Sequence, residues 1–227
     1  MNHSQNPQDD RVLLINKPFG WTSFDVVKKL RGALKIKKIG HAGTLDPLAT
    51  GLLILCAGKK TKEIAHYQEM EKEYQGTLVV GKTTPSVDLE TDFDSEHDFS
   101  HLTAEQVITV SKNFLGPIEQ VPPSYSAIKI EGQPVYKKAR KGETVILKPR
   151  KVEIQELEIL SCDFPQVQFR VVCSKGTYIR SLVRDMGAAL GVGAYLSQLT
   201  RTRIGRYLLT EAYDPNAYID EHSQAPH

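Results

Sequence analysis

The sequence predicts an α+β fold built around a mixed, largely antiparallel sheet. Strand-like and helix-like segments are mixed along the chain without the steady strand-helix alternation of a doubly wound sheet. The composition is that of a globular protein, with 40% hydrophobic and 25% charged residues. Because 227 residues exceed the usual length of one domain, we expect one large domain or a domain with a small insertion.

Three strands and two helices are predicted in the N-terminal third of the chain. Thr22 or Ser23 can cap the first helix, whose apolar stripe faces inward while lysines take the other face. That stripe consists of Phe24, Val26, Val27, Leu30 and Leu34. The other segments are strands at Val12–Ile15, Leu52–Ala57 and Tyr74–Val80 and a short helix at Thr61–Gln68.

The remainder of the chain is predicted to contain three extended segments and two long helices. Thr103-Ala104-Glu105-Gln106 is a capping box that opens a helix, which Gly116-Pro117 closes. An acidic loop, Thr83–His101, precedes that helix. The other predicted elements are strands at Val152–Leu160 and Val167–Cys173, a helix at Thr177–Leu190 and a basic extended segment at Tyr195–Tyr207.

The predicted organisation is one folded domain, residues 11–210, between a disordered tail at 1–10 and a second tail at 211–227. Residues 120–150 read as an excursion from the core that includes a basic helix at Val135–Lys141. The polar, acidic N-terminus lacks the pattern of a signal peptide, and no apolar run is long enough to cross a membrane. We therefore expect a cytoplasmic protein without membrane association, acting as a monomer.

Neither a disulfide framework nor a metal site is predicted. The three cysteines, Cys56, Cys162 and Cys173, are odd in number and widely spaced. The seven histidines show no recognised ligand spacing. We expect reduced core thiols and no structural metal.

The formal net charge of +2 conceals strong segregation of charge. Acids collect in residues 88–98, whereas basic clusters flank the segment Gly40–Gly51 and recur later. The clusters are Lys28, Lys29, Arg31, Lys35, Lys37 and Lys38; Lys59, Lys60 and Lys62; Lys137, Lys138, Arg140 and Lys141; Lys148, Arg150 and Lys151; and Arg201, Arg203 and Arg206. One such cluster is typical of a solvated helix face, but several together favour a nucleic-acid partner.

The run Gly40–Gly51 places one carboxylate among glycines and hydroxyls inside apolar sequence. Because Asp46 precedes Pro47, its backbone is pushed away from helix, and we expect a rigid loop that aims the carboxylate. Asp46 is therefore a candidate nucleophile. A lone Asp-Pro more commonly starts a simple turn, so the catalytic interpretation depends on the whole run.

Three further constellations combine turns with polar or aromatic groups. Ser174–Arg180 is a glycine turn feeding a helix, where an arginine beside a site carboxylate would keep that acid ionised. Lys72-Glu73-Tyr74 places a tyrosine at the start of a strand, although a half-buried structural aromatic is the simpler interpretation. Val121–Lys129 contains prolines that stiffen the segment. Its Lys129 either binds phosphate or is a solvated side chain on an edge strand.

Taken in order, these motifs resemble those of the TruB-type tRNA pseudouridine synthases. The resembling segments are Lys17-Pro18 with Gly20-Trp21-Thr22-Ser23, Gly40–Gly51, Lys72-Glu73-Tyr74, Pro123–Lys129 and Lys175–Arg180. Five spaced motifs in the correct order are far more specific than one, and the likeness spans Leu13–Tyr207. It implies the pseudouridine synthase fold and conversion of uridine 55 in the tRNA T loop to pseudouridine, with no cofactor, no metal and no guide RNA.

The resemblance also implies roles for individual residues. Asp46 is the nucleophile or the base, Arg180 pairs with it, and Tyr74 stacks on the target uracil as a candidate acceptor of the C5 proton. His41 fills the space that the flipped uridine leaves. The remaining implied substrate-binding residues are Tyr178, which lines the pocket, Leu199, Lys17, and Lys129 of an RNA-clamping insertion at about residues 120–150.

Departures from the family pattern affect two loops and the C-terminus. Many members carry Thr-Asp-Thr-x-Asp-x-x-Gly after the Tyr74 strand, whereas Thr84–Thr91 here keeps Thr84 and Asp88 but loses the first Asp and the Gly. Ala42 stands where Thr is frequent. Many relatives also continue into a C-terminal PUA domain, which we do not expect in this chain.

Three other functions compete with uridine isomerisation by the isolated chain. An RNA chaperone that remodels the T arm is disfavoured because Asp46, Tyr74 and Arg180 are all present. A nucleoside-cleaving glycosidase ordinarily needs two carboxylates, and only Asp46 lies in a motif. Guide-RNA-dependent modification, as in relatives that act inside ribonucleoprotein particles, is distinguished by testing the pure chain on a T-arm stem-loop.

Overall fold

The computed structural model describes residues 10–126, 129–130, 133–135 and 147–223. The chain divides into two compact units, one formed by Met1–Tyr74 together with Leu199–His227 and the other by Gln75–Gln198. Among the described residues, no helix is long and apolar enough to cross a membrane.

The described elements are short helices and strands of very unequal length. The helices are α1 (Ser23–Ala33), α2 (Ile64–Glu69), α3 (Ala104–Lys112), α4 (Ile179–Ala189) and α5 (Pro215–Ser223). The strands are β1 (Val12–Lys17), β2 (Ile39–His41), β3 (Thr50–Ala57), β4 (Lys72–Val80), β5 (Lys82–Thr83), β6 (Ser95–Glu96), β7 (Gly116–Gln120), β8 (Lys129–Ile130), β9 (Gln133–Pro134), β10 (Arg150–Asp163), β11 (Gln166–Cys173), β12 (Ala194–Ile204) and β13 (Tyr207–Leu208).

In the first unit, β3 is the central strand. It pairs antiparallel with β1 and β2 and in parallel with β12, where Arg201 lies opposite Gly51. Gly51 has a φ of 104°, and a Cβ there would overlap the backbone of Arg201. Because only glycine combines that dihedral with so close an approach, Gly51 fixes how β12 lies against β3.

Both faces of β3 are buried, which explains its continuous apolar sequence. Leu53 and Leu55 lie in a core cluster with Val26, Val27 and Leu30, the inward stripe of α1. The alternate residues Leu52, Ile54 and Cys56 lie in a second cluster with Tyr67 of α2. The predicted helical stripe and strand are thus confirmed, with Phe24 of the stripe exposed instead of buried.

The segment predicted as a C-terminal tail is folded as far as Ser223. Asn16 N–H donates to the carbonyl of Tyr213 at 2.9 Å, and Tyr213 N–H donates to the carbonyl of Leu14 at 3.0 Å. Tyr218 of α5 is buried in the core of the first unit, with Ile219 packed against it. The prediction of a tail from residue 211 was wrong because the few apolar residues of this short helix do not form a visible helical stripe.

The second unit is built on long antiparallel strands. β10 pairs antiparallel with both β7 and β11, and the strand order in this unit is β12-β4-β11-β10-β7. The predicted capping box opens α3, where Thr103 Oγ1 accepts from Gln106 N–H at 3.3 Å and Gln106 Oε1 accepts from Thr103 N–H at 2.8 Å. The predicted α+β fold with a mixed, largely antiparallel sheet is confirmed.

Part of the expected RNA-clamping insertion is described, and there β8 and β9 form a short antiparallel pair. Two other predicted segments fall mainly outside the described residues. The basic helix predicted at Val135–Lys141 lies outside the described residues apart from Val135, as does the N-terminal tail apart from Asp10.

Candidate active site

Asp46 lies on the loop of residues 42–49, which joins β2 to β3. At the start of the loop, Ala42 N–H donates to the carbonyl of Ile54 at 2.8 Å. At its end, Ala49 N–H donates to the carbonyl of Asp46 itself at 3.0 Å. Asp46 is half-buried, so its carboxylate is carried by a short loop that is closed at both ends.

The segment before α1 and the first turn of α1 brace the middle of this loop. The buried Ser23 hydroxyl accepts from Leu45 N–H at 2.9 Å and donates to the Leu45 carbonyl at 3.3 Å. Gly20 N–H donates to the carbonyl of Pro47 at 2.9 Å. The backbone on each side of Asp46 is therefore hydrogen-bonded to the same neighbouring segment, which restricts where the carboxylate points.

Lys17, at the end of β1, is fully buried within this bracing. Its ammonium donates to the carbonyls of Trp21 at 2.6 Å, Pro18 at 2.9 Å and Pro47 at 3.3 Å. Burial lowers the pKa of Lys17 to about 8, although the nearby charge of Asp46 acts to raise it. The resemblance implied substrate binding for Lys17, but these contacts use its donors inside the protein.

Arg201 of β12 braces the same loop from another strand. Its Nε donates to the carbonyl of Leu52 at 2.7 Å and its Nη2 to the carbonyl of Gly43 at 3.2 Å. Only 1% of Arg201 is exposed. Sequence reasoning placed this arginine in a basic surface cluster and missed its position, because a cation in a basic run carries no signal of burial.

Three more predicted site residues belong to the first unit. His41 ends β2 and is half-buried, and burial followed by the charge of Arg201 lowers its pKa. Tyr74 is buried on β4, and half-buried Leu199 lies on β12, where its carbonyl accepts from Thr50 Oγ1 at 3.5 Å. The lowered pKa of His41 favours its neutral imidazole, which is the form suited to stacking on a base.

Arg180, near the start of α4 in the second unit, is held at all three of its nitrogens. Nη1 donates to the carbonyl of Ser86 at 3.0 Å and Nη2 to that of Tyr125 at 2.8 Å. Nε lies 3.6 Å from Oδ2 of Asp88. With 3% of the residue exposed, the guanidinium is a buried charge with a carboxylate partner and a fixed plane.

Asp88 is a functional candidate for which sequence reasoning found no role. It is buried, and its Oδ1 accepts from Glu90 N–H at 3.0 Å while its carbonyl accepts from Thr84 Oγ1 at 2.7 Å. Val87 before it has a φ of 63°, which is strained for a β-branched residue. The loop that departs from the family pattern is therefore closed by its own side chains and supplies two of the partners of Arg180.

The remaining predicted residues are Tyr178 and Lys129. Tyr178 is half-buried at the N-terminus of α4, and its N–H donates to Oε1 of the buried Gln120 at 2.8 Å. Lys129 lies in β8, but its side chain is outside the described residues. In the described part of the chain, no group of three or more His, Cys, Asp or Glu side chains is placed to hold a metal.

The predicted residues are divided between the two units. Lys17, His41, Asp46, Tyr74 and Leu199 belong to the first, and Tyr178 and Arg180 to the second. A family model described as TruB family pseudouridylate synthase, N-terminal domain, matches residues 31–179. The chain belongs to this family.

Curated relatives in the family match almost the whole chain. The protein named tRNA pseudouridine synthase B from Parabacteroides distasonis is 53% identical over 92% of each chain. The protein of the same name from Bacteroides fragilis is 49% identical over 95% of each chain. The family identification from five motifs is thereby confirmed.

Solved structures confirm the pseudouridine synthase fold. A Cbf5-Nop10-Gar1 complex matches 93% of this chain with a TM-score of 0.73 and 29% identity. An H/ACA RNP bound to a substrate RNA containing 2′-deoxyuridine matches 96% with a TM-score of 0.70 and 27% identity. This chain spans 54% and 60% of the lengths of those two neighbours.

Proposed function

We propose that this chain isomerises uridine to pseudouridine at position 55 in the T loop of tRNA. The observation that carries the proposal is Asp46, the one carboxylate in the loop of residues 42–49, whose backbone is fixed by hydrogen bonds from Lys17, Gly20, Ser23 and Arg201. The relatives named tRNA pseudouridine synthase B, about half identical over nearly the whole chain, support tRNA as the substrate.

The reaction needs no oxidant, reductant or second substrate. The bond from N1 of uracil to C1′ of ribose breaks, a bond from C5 to C1′ forms, C5 loses a proton and N1 gains one. Asp46 acts either as the nucleophile at C1′ or as the base. In both cases the carboxylate must be ionised and aimed, which the braced loop favours.

Arg180 is the proposed partner that keeps Asp46 ionised. A guanidinium beside a carboxylate stabilises the charged acid through charge-assisted hydrogen bonds. Asp88, with the carbonyls of Ser86 and Tyr125, fixes the plane of the Arg180 guanidinium. Asp88 is thus proposed as a positioning residue for Arg180.

The target uridine must leave the T loop before it can react. Extruding a base costs on the order of a few kcal/mol, which stacking and phosphate contacts offset. We assign stacking on the uracil to Tyr74 and filling of the vacated space to the neutral His41, with Tyr178 and Leu199 lining the pocket. Lys129 and its insertion are assigned to the RNA backbone.

The test is release of tritium from a T-arm stem-loop labelled at C5 of the target uridine. The purified chain should release it, and Asp46→Asn should reduce the single-turnover rate by at least about 10³-fold, as expected when a nucleophile or base is removed. Asp163→Asn, a change of the same kind at the exposed end of β10, is the matched control. Tritium release by Asp46→Asn at the wild-type rate would refute the catalytic role of Asp46.

Guide-dependent modification is a second candidate, favoured by the likeness to proteins of H/ACA complexes. The relatives that match over more than nine-tenths of both chains favour the stand-alone enzyme instead. Tritium release by the pure chain, without other RNA or protein, excludes dependence on a guide. Activity that appears only after addition of a guide RNA would reverse the assignment.

We further propose that the catalytic domain extends from residue 11 through α5 and acts as a monomer. The packing of Tyr218 into the first unit supports this boundary. Ending the chain before Asp214 should therefore abolish cooperative unfolding of the first unit, as measured by thermal denaturation.

A further inference from the structure

A shallow pocket of about 380 Å³ lies beside α1, and none of the side chains given roles above lines it. It is lined by Trp21, Asp25, Lys28 and Lys29. Its volume falls in the range of roughly 300–1,000 Å³ that small-ligand sites occupy. The pocket belongs entirely to the first unit.

The pocket is anchored to the loop that carries Asp46. Lys17 Nζ donates both to the carbonyl of Trp21 at 2.6 Å and to that of Pro47 at 3.3 Å. Gly20 N–H donates to the same Pro47 carbonyl at 2.9 Å. A group bound at Trp21 is therefore held at a fixed place relative to the proposed catalytic loop.

Exposed aromatic side chains surround Trp21 in the sequence. Phe19 is 65% exposed and Phe24 is 60% exposed, while Trp21 packs partly against the core of the first unit. A single exposed apolar side chain is ordinary, but three aromatics within six residues, one of which lines the pocket, indicate an interaction surface.

The two lysines of the pocket have no carboxylate partner among the described residues. Both are exposed, and no ion pair of either is formed in the described part of the chain. Asp25 Oδ2 accepts from Thr22 N–H at 2.9 Å and from Thr22 Oγ1 at 2.6 Å; these hydrogen bonds lower the pKa of Asp25, and the charge of Lys28 helps to lower it. The pocket thus offers two exposed ammonium groups and one carboxylate beside an indole, with a net positive charge.

We propose that this pocket binds an unpaired nucleotide flanking the T-arm stem of the RNA substrate, with its base on Trp21 and its phosphate at Lys28 and Lys29. Aromatic faces stack on any base, and lysines bind the backbone without reading sequence. The proposal rests on the proposed function, because that function supplies the RNA. Two exposed cations favour RNA over an apolar protein partner.

Trp21 is the only tryptophan in the chain, so intrinsic fluorescence reports on the pocket directly. The probes are two T-arm stem-loops, one blunt and one with three unpaired nucleotides at each end. We expect the extended RNA to cause a saturable fall in fluorescence and to bind at least tenfold more tightly than the blunt one. Equal affinity of the two RNAs, or no fluorescence change with the extended RNA, would overturn the proposal.

Charge reversal then tests the lysines. Lys28→Glu with Lys29→Glu should remove the tenfold advantage of the extended RNA, whereas Lys37→Glu with Lys38→Glu, an exposed pair in the same unit, should retain it. Equal loss in both double variants would show a general charge effect and contradict a site at Trp21. A concentration-dependent change in fluorescence without RNA would identify a second copy of the chain as the occupant and also overturn the proposal.

Running the titrations with Asp46→Asn separates this proposal from the proposed function. That variant makes no product, so its fluorescence response depends on binding alone. If the fluorescence response is intact but the wild-type chain does not isomerise uridine, only the proposed function is refuted. If the chain isomerises uridine but binds the extended RNA no more tightly than the blunt one, only the proposed pocket is refuted.

Discussion

Lys17 and Arg201 are buried cations that donate hydrogen bonds to backbone carbonyls in and around the Asp46 loop. Burying an ion without a partner costs several kcal/mol, so such residues persist only where many hydrogen bonds offset the cost. Neither position could be predicted from the sequence, because lysine and arginine normally indicate surface. Asp88 escaped prediction for the same reason, since it stands in an acidic run typical of a solvated loop.

Replacing Arg201 should both loosen the Asp46 loop and destabilise the fold. Arg201→Met leaves the carbonyls of Leu52 and Gly43 without their donor, which should cost about 2–4 kcal/mol in the free energy of unfolding. The rate of tritium release should fall at least tenfold. Arg203→Met is the control on the same strand, because the partly exposed pairs of Arg203 with Glu71 and Glu73 are worth about 1 kcal/mol or less. Equal effects of the two changes would contradict a bracing role.

Lys17 should make stability rise with pH above neutrality. Its pKa is about 8 in the folded chain, whereas an unperturbed lysine has a pKa of 10.5, so between these values the unfolded chain binds the extra proton. The free energy of unfolding of wild type relative to Lys17→Met should therefore increase from pH 8 to about pH 10.5. Denaturant titrations across this range measure it, and a flat or falling difference would show that Lys17 is not buried as a cation.

Asp88→Asn should reduce catalysis more than binding. The amide keeps the shape of the side chain but removes the charge that faces Arg180 at Nε. We expect a fall of about tenfold or more in the single-turnover rate, equivalent to about 1.4 kcal/mol, with little change in the Kd for the stem-loop. Asp92→Asn, an exposed position in the same acidic segment, should leave both near wild type.

At the scale of elements, periodic apolar residues made most of the fold predictable. The strands β10 and β11 and the helices α1, α3 and α4 were found because each buries a regular face, and β3 was found because both of its faces are buried and its sequence is continuously apolar. The acidic loop was predicted, but the closure of Thr84–Thr91 by its own hydroxyls was not, because such contacts are specific to three-dimensional geometry. Helix α5 was missed because its few apolar residues, among them Tyr218 and Ile219, do not form a long helical stripe in the sequence.

The first residue of α1 links that helix to the proposed catalytic loop. Ser23→Ala removes the partner of both the N–H and the carbonyl of buried Leu45, so we expect a loss of about 1–3 kcal/mol and a slower single-turnover rate. Thr103→Ala removes the cap of α3, at a similar cost of about 1 kcal/mol, and should leave the rate unchanged. A rate loss in both variants would mean that general stability, not the loop, limits activity.

At the scale of the whole molecule, the segregation of charge matters more than the net charge of +2. Basic clusters lie on both sides of the Asp46 loop in the sequence, while acids collect in residues 88–98. Such a distribution attracts a polyanion although the total is nearly neutral. The distribution of charge along the sequence therefore predicted the class of partner, whereas the identity of the RNA needed the motifs.

Binding of the stem-loop should weaken steeply with salt. Release of counterions makes the logarithm of the association constant fall linearly with the logarithm of salt concentration. Asp46→Asn should show the same slope, since the change removes chemistry but no phosphate contact. Filter binding at several KCl concentrations measures both proteins, and affinity independent of salt would contradict an electrostatic RNA interface.

The first unit is discontinuous, and this has a consequence for biosynthesis. Over half of the chain, Gln75–Gln198, separates β3 from the residues of β12 that pair with it. The second unit is continuous and can form as soon as it has emerged from the ribosome. The Asp46 loop, by contrast, gains the support of Arg201 only when the end of the chain is made, so a truncated nascent protein holds a complete second unit and a catalytic loop that lacks one of its braces.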